Sequence, residues 1–337
     1  MDFKEILAKN KPIIWKEVQK YLTKDGPFDY ANIVNDYSIR QGKYGRGTLV
    51  LMMCRAFNGE VEKAIRTAAA MQFSEDWLLI HDDFEDKSDQ RRGKPTLYKL
   101  YGEEISVNAG DAVHVMMWKA LIDNREILDE KTTFRVMKEF IRFLEITAVG
   151  QHFEMSIIAK KPLEEVAYED YERIIAAKAG EYTIAGPMRL GAIIAGQPDS
   201  ILNKITDFAI PLGKAFQIRD DLLNIVGEGS VYGKEIGGDI FEGKRTGLLI
   251  HLMKNTTGEE HKKVMEIMNK PREKKTTKEV EFIVDLMKKR GSVKYAEKMA
   301  EKLAEEAKEK FNKYFSKVSN KEEFDAAIEF FALKRKV

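Results

Sequence analysis

The chain lacks the cysteines that a disulfide-stabilised protein needs. Cys54 is the only cysteine among 337 residues, so no disulfide can form within the chain. Residues 1–11 are charged and have no long apolar core, which distinguishes them from a secretory signal peptide. Both features are typical of proteins in a reducing compartment, and we expect a cytoplasmic location.

The chain also lacks an excess of either charge and any long hydrophobic run. Lys plus Arg number 56 and Asp plus Glu number 55, which gives a formal net charge of +1. This balance predicts no nucleic-acid partner, and any anion must be bound by local clusters of charge. No apolar run approaches the roughly 18 residues that span a bilayer, so we expect no transmembrane segment.

Proline is scarce, with 8 in the whole chain, and the apolar residues recur at helical rather than alternating spacing. In the segment from Val61 to Ile80 the apolar positions fall three or four residues apart. Three further segments have the same character, namely Phe134–Ile158, Tyr168–Ile194 and Val280–Phe315. The sequence therefore predicts an all-α fold in a single domain spanning residues 1–337.

Three segments interrupt this helical pattern. Residues 87–101 contain glycine, proline and two arginines, and predict a loop after a helix. Residues 227–247 contain seven glycines and several cations, and predict a charged loop that can close over an anionic ligand. Residues 259–279 are polar and predict a mobile connection. None of the three has the character of a domain linker.

The first cluster with chemical meaning is the acidic end of an apolar helical segment. Asp82 and Asp86 are four residues apart, so they share one face of a helix. Their repulsion costs some tenths of a kcal/mol, and a cation between them reverses its sign. Carboxylate oxygens with no nearby cysteine suit Mg²⁺, which keeps several waters and is shared with phosphate oxygens.

A second acidic pair, Asp220 and Asp221, lies in another apolar helical segment. Asn224 follows Asp220 by four residues, and its neutral carbonyl is a weaker metal ligand. Either cluster alone is more often a solvated acidic face. Two such clusters, each followed by a basic loop, predict several metal ions around one diphosphate if they face each other across a helical bundle.

These clusters and their flanks resemble the motifs of the trans-isoprenyl diphosphate synthase (polyprenyl synthetase) family, from about residue 41 to the C-terminus. The two acidic clusters resemble its two aspartate-rich motifs, the first followed by an RRG sequence. The matching segments are Gly42–Arg46, Asp82–Asp86, Arg91–Gly93, Gly150–Gln151, Lys178, Phe216–Asp221, Gly233–Lys234 and Gly243–Thr246. Within the family the chain is most similar to short-chain geranylgeranyl diphosphate synthases.

The resemblance implies an isoprenoid synthase-type helical bundle around a central active-site cavity, assembled as a homodimer. It implies a prenyltransferase that condenses isopentenyl diphosphate with an allylic diphosphate. The implied catalytic residues are Asp82, Asp83, Asp86, Lys178, Asp220 and Asp221. The implied ligands of three Mg²⁺ ions are Asp82, Asp86 and Asp220.

The resemblance also implies two substrate sites. The allylic diphosphate would be held by Arg91, Lys178, Gln217, Lys234 and Lys244. Isopentenyl diphosphate would be held by Lys43, Arg46 and Arg92, with Glu75 at the same site. This set suits the chemistry, because metal ions and cations that bind a departing diphosphate more tightly as its charge develops lower the barrier to ionisation. No nucleophilic Ser, Cys or His is needed.

Glu75 is the main departure from the family pattern, which usually has His or Gln there. A carboxylate would repel a diphosphate unless it is protonated, turned away, or paired with Lys43 or Arg46. Two alternatives to the synthase stay open, and Glu75 favours the first of them. One is a terpene cyclase-like enzyme that ionises an allylic diphosphate without isopentenyl diphosphate, and the other is a silent subunit of a heteromeric synthase.

Product length in the family depends on residues just before the first acidic motif. Trp77 lies five residues before Asp82, about 7.5 Å along a helix, and Leu78 lies four before it on the same face as Asp82. A single aromatic residue at the fifth position is typical of a C20 product, so we expect geranylgeranyl diphosphate. The alternative is that Trp77 merely packs against a neighbouring helix, and Ser74 is small enough to leave a path to a longer product.

Overall fold

The computed structural model describes residues 2–227 and 236–332, and these residues are mostly α-helical. The α-helices are, in chain order, α1 (Phe3–Val18), α2 (Tyr30–Arg40), α3 (Gly45–Ala56), α4 (Val61–Glu85), α5 (Leu97–Tyr101), α6 (Glu103–Asp123), α7 (Glu130–Lys160), α8 (Tyr168–Ile175), α9 (Gly186–Ile194), α10 (Asp199–Val226), α11 (Gly238–Glu242), α12 (Gly247–Lys254), α13 (Gly258–Met268), α14 (Thr277–Lys289), α15 (Ser292–Phe315) and α16 (Lys321–Ala332). The all-α prediction is confirmed.

Other regular structure within the described residues is limited. Short 3₁₀ turns cover Asn124–Glu126, Leu163–Glu165 and Arg272–Lys274, and a π-helical segment covers Ala176–Ala185. Two-residue strands, β1 (Gln90–Arg91) and β2 (Lys94–Pro95), pair antiparallel with Arg91 opposite Lys94. None of the described helices is long and apolar enough to cross a membrane.

The described residues form two compact units. The first comprises residues 2–143, 183–208 and 310–327, and the second comprises residues 144–182, 209–227, 236–309 and 328–332. Each unit has its own buried apolar residues. The single-domain assignment for residues 1–337 stays a prediction.

In the first unit, α4 is the central helix and packs against α1, α3 and α6, while α3 also packs against α9. Small residues allow these close contacts: Ala68, Ala69 and Ala70 of α4 are fully buried. A Cβ placed on Gly191 of α9 would lie 2.2 Å from the carbonyl oxygen of Val50, so a larger residue would push α9 away from α3. The position of α4 matters because it carries the first acidic cluster at its C-terminal end.

In the second unit, α12 packs against α8 and α14, and residues of α10 contact the π-helical segment. A Cβ on Gly213 of α10 would lie 2.5 Å from the carbonyl oxygen of Ala179, and one on Gly180 would lie 2.9 Å from Cδ1 of Ile210. Glycines therefore let two backbones touch beside Lys178. π-helical turns are rare and often occur at functional sites.

Two of the predicted interruptions and one predicted helical segment differ in detail from the structure. The loop over residues 87–101 contains the β1–β2 hairpin and α5. The predicted mobile connection over residues 259–279 is wrong, because it forms most of α13 and the start of α14, where Thr276 and Glu279 form a capping box. The predicted helical segment 280–315 is broken at Gly291, whose φ of +78° is a left-handed conformation that ends α14.

Candidate functional site

The first acidic cluster lies where α4 ends. Asp82 is in the last turn, and Asp86 caps the helix with its backbone N–H 2.8 Å from the carbonyl oxygen of Asp82. The last turn contains no basic residue, and the carbonyl end of a helix carries partial negative charge. Anionic side chains and the helix dipole thus produce a strongly negative potential that a divalent cation would relieve.

Asp83 points away from the face that carries Asp82 and Asp86 and into the core. Its carboxylate is 1% exposed and accepts hydrogen bonds from Nε of Arg91 at 3.0 Å to each oxygen, and from the hydroxyl of Tyr37. Arg91 Nη2 also lies 3.7 Å from Asp82. Asp83 is therefore a partner of Arg91 and the hairpin β1–β2, which brings Arg91 to the acidic cluster.

The arginines expected to hold isopentenyl diphosphate lie next to Glu75 on α4. Arg46 Nη1 is 3.0 Å from one oxygen of Glu75, and Arg92 Nη2 is 3.6 Å from the other. Arg92 Nη2 is also 2.9 Å from Asp76. A Cβ on Gly42 would lie 2.9 Å from Arg92 Nη2, so this glycine lets the chain beside Lys43 approach the cluster. The sequence left Glu75 to be protonated, turned away, or paired with Lys43 or Arg46, and the structure shows the ion pair with Arg46.

Asp76 completes this cluster from the buried side. It is fully buried, and it accepts hydrogen bonds from Ser38 at 2.7 Å, Gln72 at 3.0 Å and Arg92 at 2.9 Å. Burial raises the pKa of Asp76, an effect that Arg92 opposes. The carboxylate thus fixes Arg92 by a charge-assisted hydrogen bond in a desolvated place.

Trp77 and two aromatic side chains of α6 form a stacked group. The ring of Trp77 stacks on His114 with centroids 3.9 Å apart, and Trp118 Nε1 donates to His114 Nε2 at 2.9 Å. Burial lowers the pKa of His114, which favours the neutral ring that accepts this bond. The packing contact proposed as an alternative for Trp77 is thus present, and the chain-length role of Trp77 and Leu78 stays a prediction.

The second acidic cluster belongs to the second unit and has a different environment. Asp221 is buried and accepts hydrogen bonds from the hydroxyl of Tyr171 and from Gln217 Nε2 at 2.9 Å. The pKa of Asp221 is raised to about 6, because burial and the neighbouring Asp220 raise it by more than these hydrogen bonds and Lys244 lower it. Asn224 accepts the backbone N–H of Asp239 at 3.1 Å, so its side chain fastens the start of α11.

Two of the three lysines predicted for the allylic diphosphate lie beside a carboxylate. Lys178, in the π-helical segment, lies 2.6 Å from Glu154 of α7, and Lys244 lies 2.8 Å from Glu242. Gly150 permits the first contact, since a Cβ there would lie 2.6 Å from Cβ of Ala177. Lys234 lies outside the described residues.

The donor set fits magnesium, although no preformed cage is present. Within residues 2–227 and 236–332, no three His, Cys, Asp or Glu side chains converge as metal ligands. Mg²⁺ is commonly bound by one or two carboxylates, with waters and substrate phosphates completing its octahedron. The pair Asp82 and Asp86 at the end of α4 has this open character.

Three residues that the sequence analysis missed complete these clusters, namely Tyr37, Asp76 and Tyr171. Asp76 stands beside Glu75, and the pair of acids in an apolar helix was a signal that could have identified it. The two tyrosines carry no local signal, because each is far in sequence from the aspartate that its hydroxyl contacts.

The chain is similar in sequence to known proteins. The sequence model of the family described as polyprenyl synthetase matches residues 29–287. A geranylgeranyl diphosphate synthase from Saccharolobus solfataricus is 32% identical over 76% of this chain and 75% of its own length. A short chain isoprenyl diphosphate synthase from Methanocaldococcus jannaschii is 30% identical over 87% of this chain and 84% of its own length.

Solved structures have the same fold. A geranylgeranyl pyrophosphate synthetase from Pyrococcus horikoshii Ot3 is 25% identical and superposes with a TM-score of 0.84, covering 98% of each chain. A geranylgeranyl pyrophosphate synthase from Corynebacterium glutamicum, solved with isoprenyl diphosphate and magnesium, is 22% identical with a TM-score of 0.88 over 100% of each chain.

Proposed function

Because the chain belongs to the polyprenyl synthetase family, we propose that it condenses isopentenyl diphosphate with an allylic diphosphate and makes geranylgeranyl diphosphate. The observation that carries this function is the end of α4, where Asp82 and Asp86 lie beside the hairpin that carries Arg91. An acidic pair for metal binding next to arginines for phosphate binding is the combination that diphosphate ionisation requires.

The residues divide into groups with separate tasks. Asp82, Asp86 and Asp220 are proposed ligands of Mg²⁺, three ions per site, which when bound would neutralise charge on the departing diphosphate. Arg91, Lys178, Gln217, Lys234 and Lys244 would bind the allylic diphosphate. Lys43, Arg46 and Arg92 would bind isopentenyl diphosphate, with its double bond oriented toward the allylic carbon.

Two buried aspartates act as positioning residues in this proposal. Asp83 orients Arg91 through hydrogen bonds to Nε, and Asp221 is held by Tyr171 and Gln217. The bond from the allylic carbon to the diphosphate oxygen breaks, the alkene attacks the cation, and a proton leaves to restore an allylic product. The released diphosphate is a sufficient base for that proton, so no side chain must titrate.

The C20 product rests on Trp77 and Leu78, which precede Asp82 on α4. The product chain would grow along α4 from the acidic cluster, and a bulky ring one to two turns away limits its length. The stack of Trp77 on His114 would hold that ring in place.

A homodimer is also proposed, and exposed apolar side chains of α6 support it. Ile105, Val115 and Ile122 are 47%, 66% and 46% exposed and fall on one side of the helix by their spacing. Exposed apolar groups of this kind often mark protein interfaces. We further propose a cytoplasmic location and isoprenyl diphosphates as the ligands, with no nucleic acid.

The test is incubation of the purified protein with Mg²⁺, labelled isopentenyl diphosphate and a C5, C10 or C15 allylic diphosphate in turn. Products are dephosphorylated and sized by chromatography. Label in a C20 alcohol is the expected result, and omission of Mg²⁺ should abolish it. Consumption of the allylic diphosphate with no label in any longer chain would reject the condensation and support a cyclase-like reaction.

A further inference from the structure

Glu75 forms ion pairs with two arginines of the proposed isopentenyl diphosphate site, and these pairs affect how that substrate binds. The oxygens of Glu75 lie 3.0 Å from Arg46 Nη1 and 3.6 Å from Arg92 Nη2, so one carboxylate bridges both guanidinium groups. The side chain of Glu75 is 14% exposed, and those of the two arginines are 22% and 13% exposed. The cluster is thus only partly hydrated, and its ion pairs are stronger than those of a fully exposed surface.

The remaining contacts leave the two arginines little positive charge to offer. Arg92 also lies 2.9 Å from the buried carboxylate of Asp76 and donates to the carbonyl oxygen of Tyr37. Arg46 Nη2 donates to the hydroxyl of Thr183 at 3.0 Å. Two guanidinium groups therefore face two carboxylates, and their formal charges cancel.

From this geometry we infer that Glu75 binds Arg46 and Arg92 as a phosphate group would, and that it competes with the diphosphate of the second substrate for these two arginines. Guanidinium groups bind carboxylate and phosphate oxygens through the same N–H donors. A diphosphate must either displace Glu75 or bind within a few ångströms of its charge, and both routes weaken binding. This inference rests on the proposed function, since it concerns that function's second substrate.

Removal of the Glu75 charge should change the KM for isopentenyl diphosphate and not that for the allylic diphosphate. Glu75→Gln keeps the length and most of the shape of the side chain but removes the competing charge. We expect the KM for isopentenyl diphosphate to fall about fivefold to tenfold, the scale of one ordinary hydrogen bond, because the cluster is partly hydrated. The KM for the allylic diphosphate should stay within about twofold, because its proposed ligands are other residues.

Two control variants separate this effect from a general change of charge. Glu17→Gln removes the same charge from a comparable pair outside the site, since Glu17 lies 3.3 Å from Arg66 Nε with both side chains similarly buried. It should leave both KM values unchanged. Glu75→Asp keeps the charge and should keep a high KM for isopentenyl diphosphate. Thermal unfolding of each variant verifies that it is folded.

Binding is measured beside turnover, by calorimetric titration of isopentenyl diphosphate without Mg²⁺ or allylic substrate. Tighter binding by Glu75→Gln than by the wild type supports the inference, whether or not condensation occurs. A lack of condensation would reject only the proposed function. Equal or weaker binding by Glu75→Gln overturns the inference, because Glu75 then orients the arginines or is irrelevant. If the wild type catalyses the condensation but Glu75→Gln has an unchanged KM for isopentenyl diphosphate, the proposed function stands and the inference is rejected.

Discussion

Asp83 and Arg91 form a buried pair in which Nε of Arg91 lies 3.0 Å from each carboxylate oxygen of Asp83. The pair links the last turn of α4 to the β1–β2 hairpin, whose carbonyl oxygens at Arg91 and Lys94 also accept hydrogen bonds from Arg40 Nη1 at 3.0 and 3.4 Å. Asp82 and Asp86 are on the exposed side of the same turn. One helix end thus carries both the proposed metal ligands and the carboxylate that positions Arg91.

Asp83→Asn should therefore damage substrate binding through Arg91. Removal of one member of a buried ion pair costs about 3–5 kcal/mol, so the free energy of unfolding should fall by about that amount. The KM for the allylic diphosphate should rise about tenfold, with a smaller change for isopentenyl diphosphate. Tyr37→Phe is the control, because it removes only the hydroxyl donor to Asp83 and should cost about 1 kcal/mol. Equal KM values in Asp83→Asn and the wild type would contradict this role.

Asp82→Asn and Asp86→Asn should each lower kcat at least a hundredfold, and raised Mg²⁺ should restore part of it. The reason is that an amide is a poorer ligand for Mg²⁺ than a carboxylate. Initial rates over a series of Mg²⁺ concentrations measure this. Asp89→Asn is the control, since Asp89 is more than half exposed and pairs with Lys99, and its rate should match the wild type. A mere loss of stability in the two variants, with no change in the Mg²⁺ dependence, would exclude a metal-binding role.

Trp77→Ala should lengthen the product beyond C20, because it removes the ring that stacks on His114. Trp77 is only half-buried, so its loss should cost less than the roughly 3–5 kcal/mol of a fully buried aromatic side chain, and the assay is run well below the melting temperature. Trp77→Phe keeps an aromatic ring and should keep the C20 product. Chromatographic sizing of both products decides the matter. A C20 product from Trp77→Ala would mean that the tryptophan only packs against α6.

Arg245→Met should stabilise the protein. Arg245 is 6% exposed, and its Nε and Nη1 have no hydrogen-bond acceptor in the part of the chain that the structure describes. Burial lowers the pKa of Arg245, a sign of the cost of an unpaired buried charge. Replacement by an apolar side chain of similar volume should raise the free energy of unfolding by about 1–3 kcal/mol.

The contrast for Arg245 is Arg189, which is also buried but is bound to Glu139 at 2.7 Å. Arg189→Met removes one of two arginines that bind this buried carboxylate, since Arg142 Nη2 also lies 2.7 Å from it. It should destabilise the protein, by less than the roughly 3–5 kcal/mol expected for a buried carboxylate left alone. Denaturant unfolding of both variants under the same conditions measures the two changes. A loss of stability in Arg245→Met as large as that in Arg189→Met would show that Arg245 has an anionic partner.

The sequence predicted those parts of the fold and site that depend on local patterns. The helical spacing of residues 61–80 predicted α4, and acids four residues apart predicted a shared face, because both follow from the periodicity of one helix. The π-helical segment around Lys178 has no comparable signal, since it depends on glycines at 180 and 213 that let distant backbones touch. The bond from Tyr37 to Asp83 likewise joins residues 46 positions apart.

Release of inorganic diphosphate from a C15 allylic substrate, measured with and without isopentenyl diphosphate, tests the central claim most directly. We predict that release requires both isopentenyl diphosphate and Mg²⁺. One diphosphate should be released for each C5 unit added, and the product should be C20. Release without isopentenyl diphosphate, accompanied by C15 alcohols or hydrocarbons, would contradict this prediction.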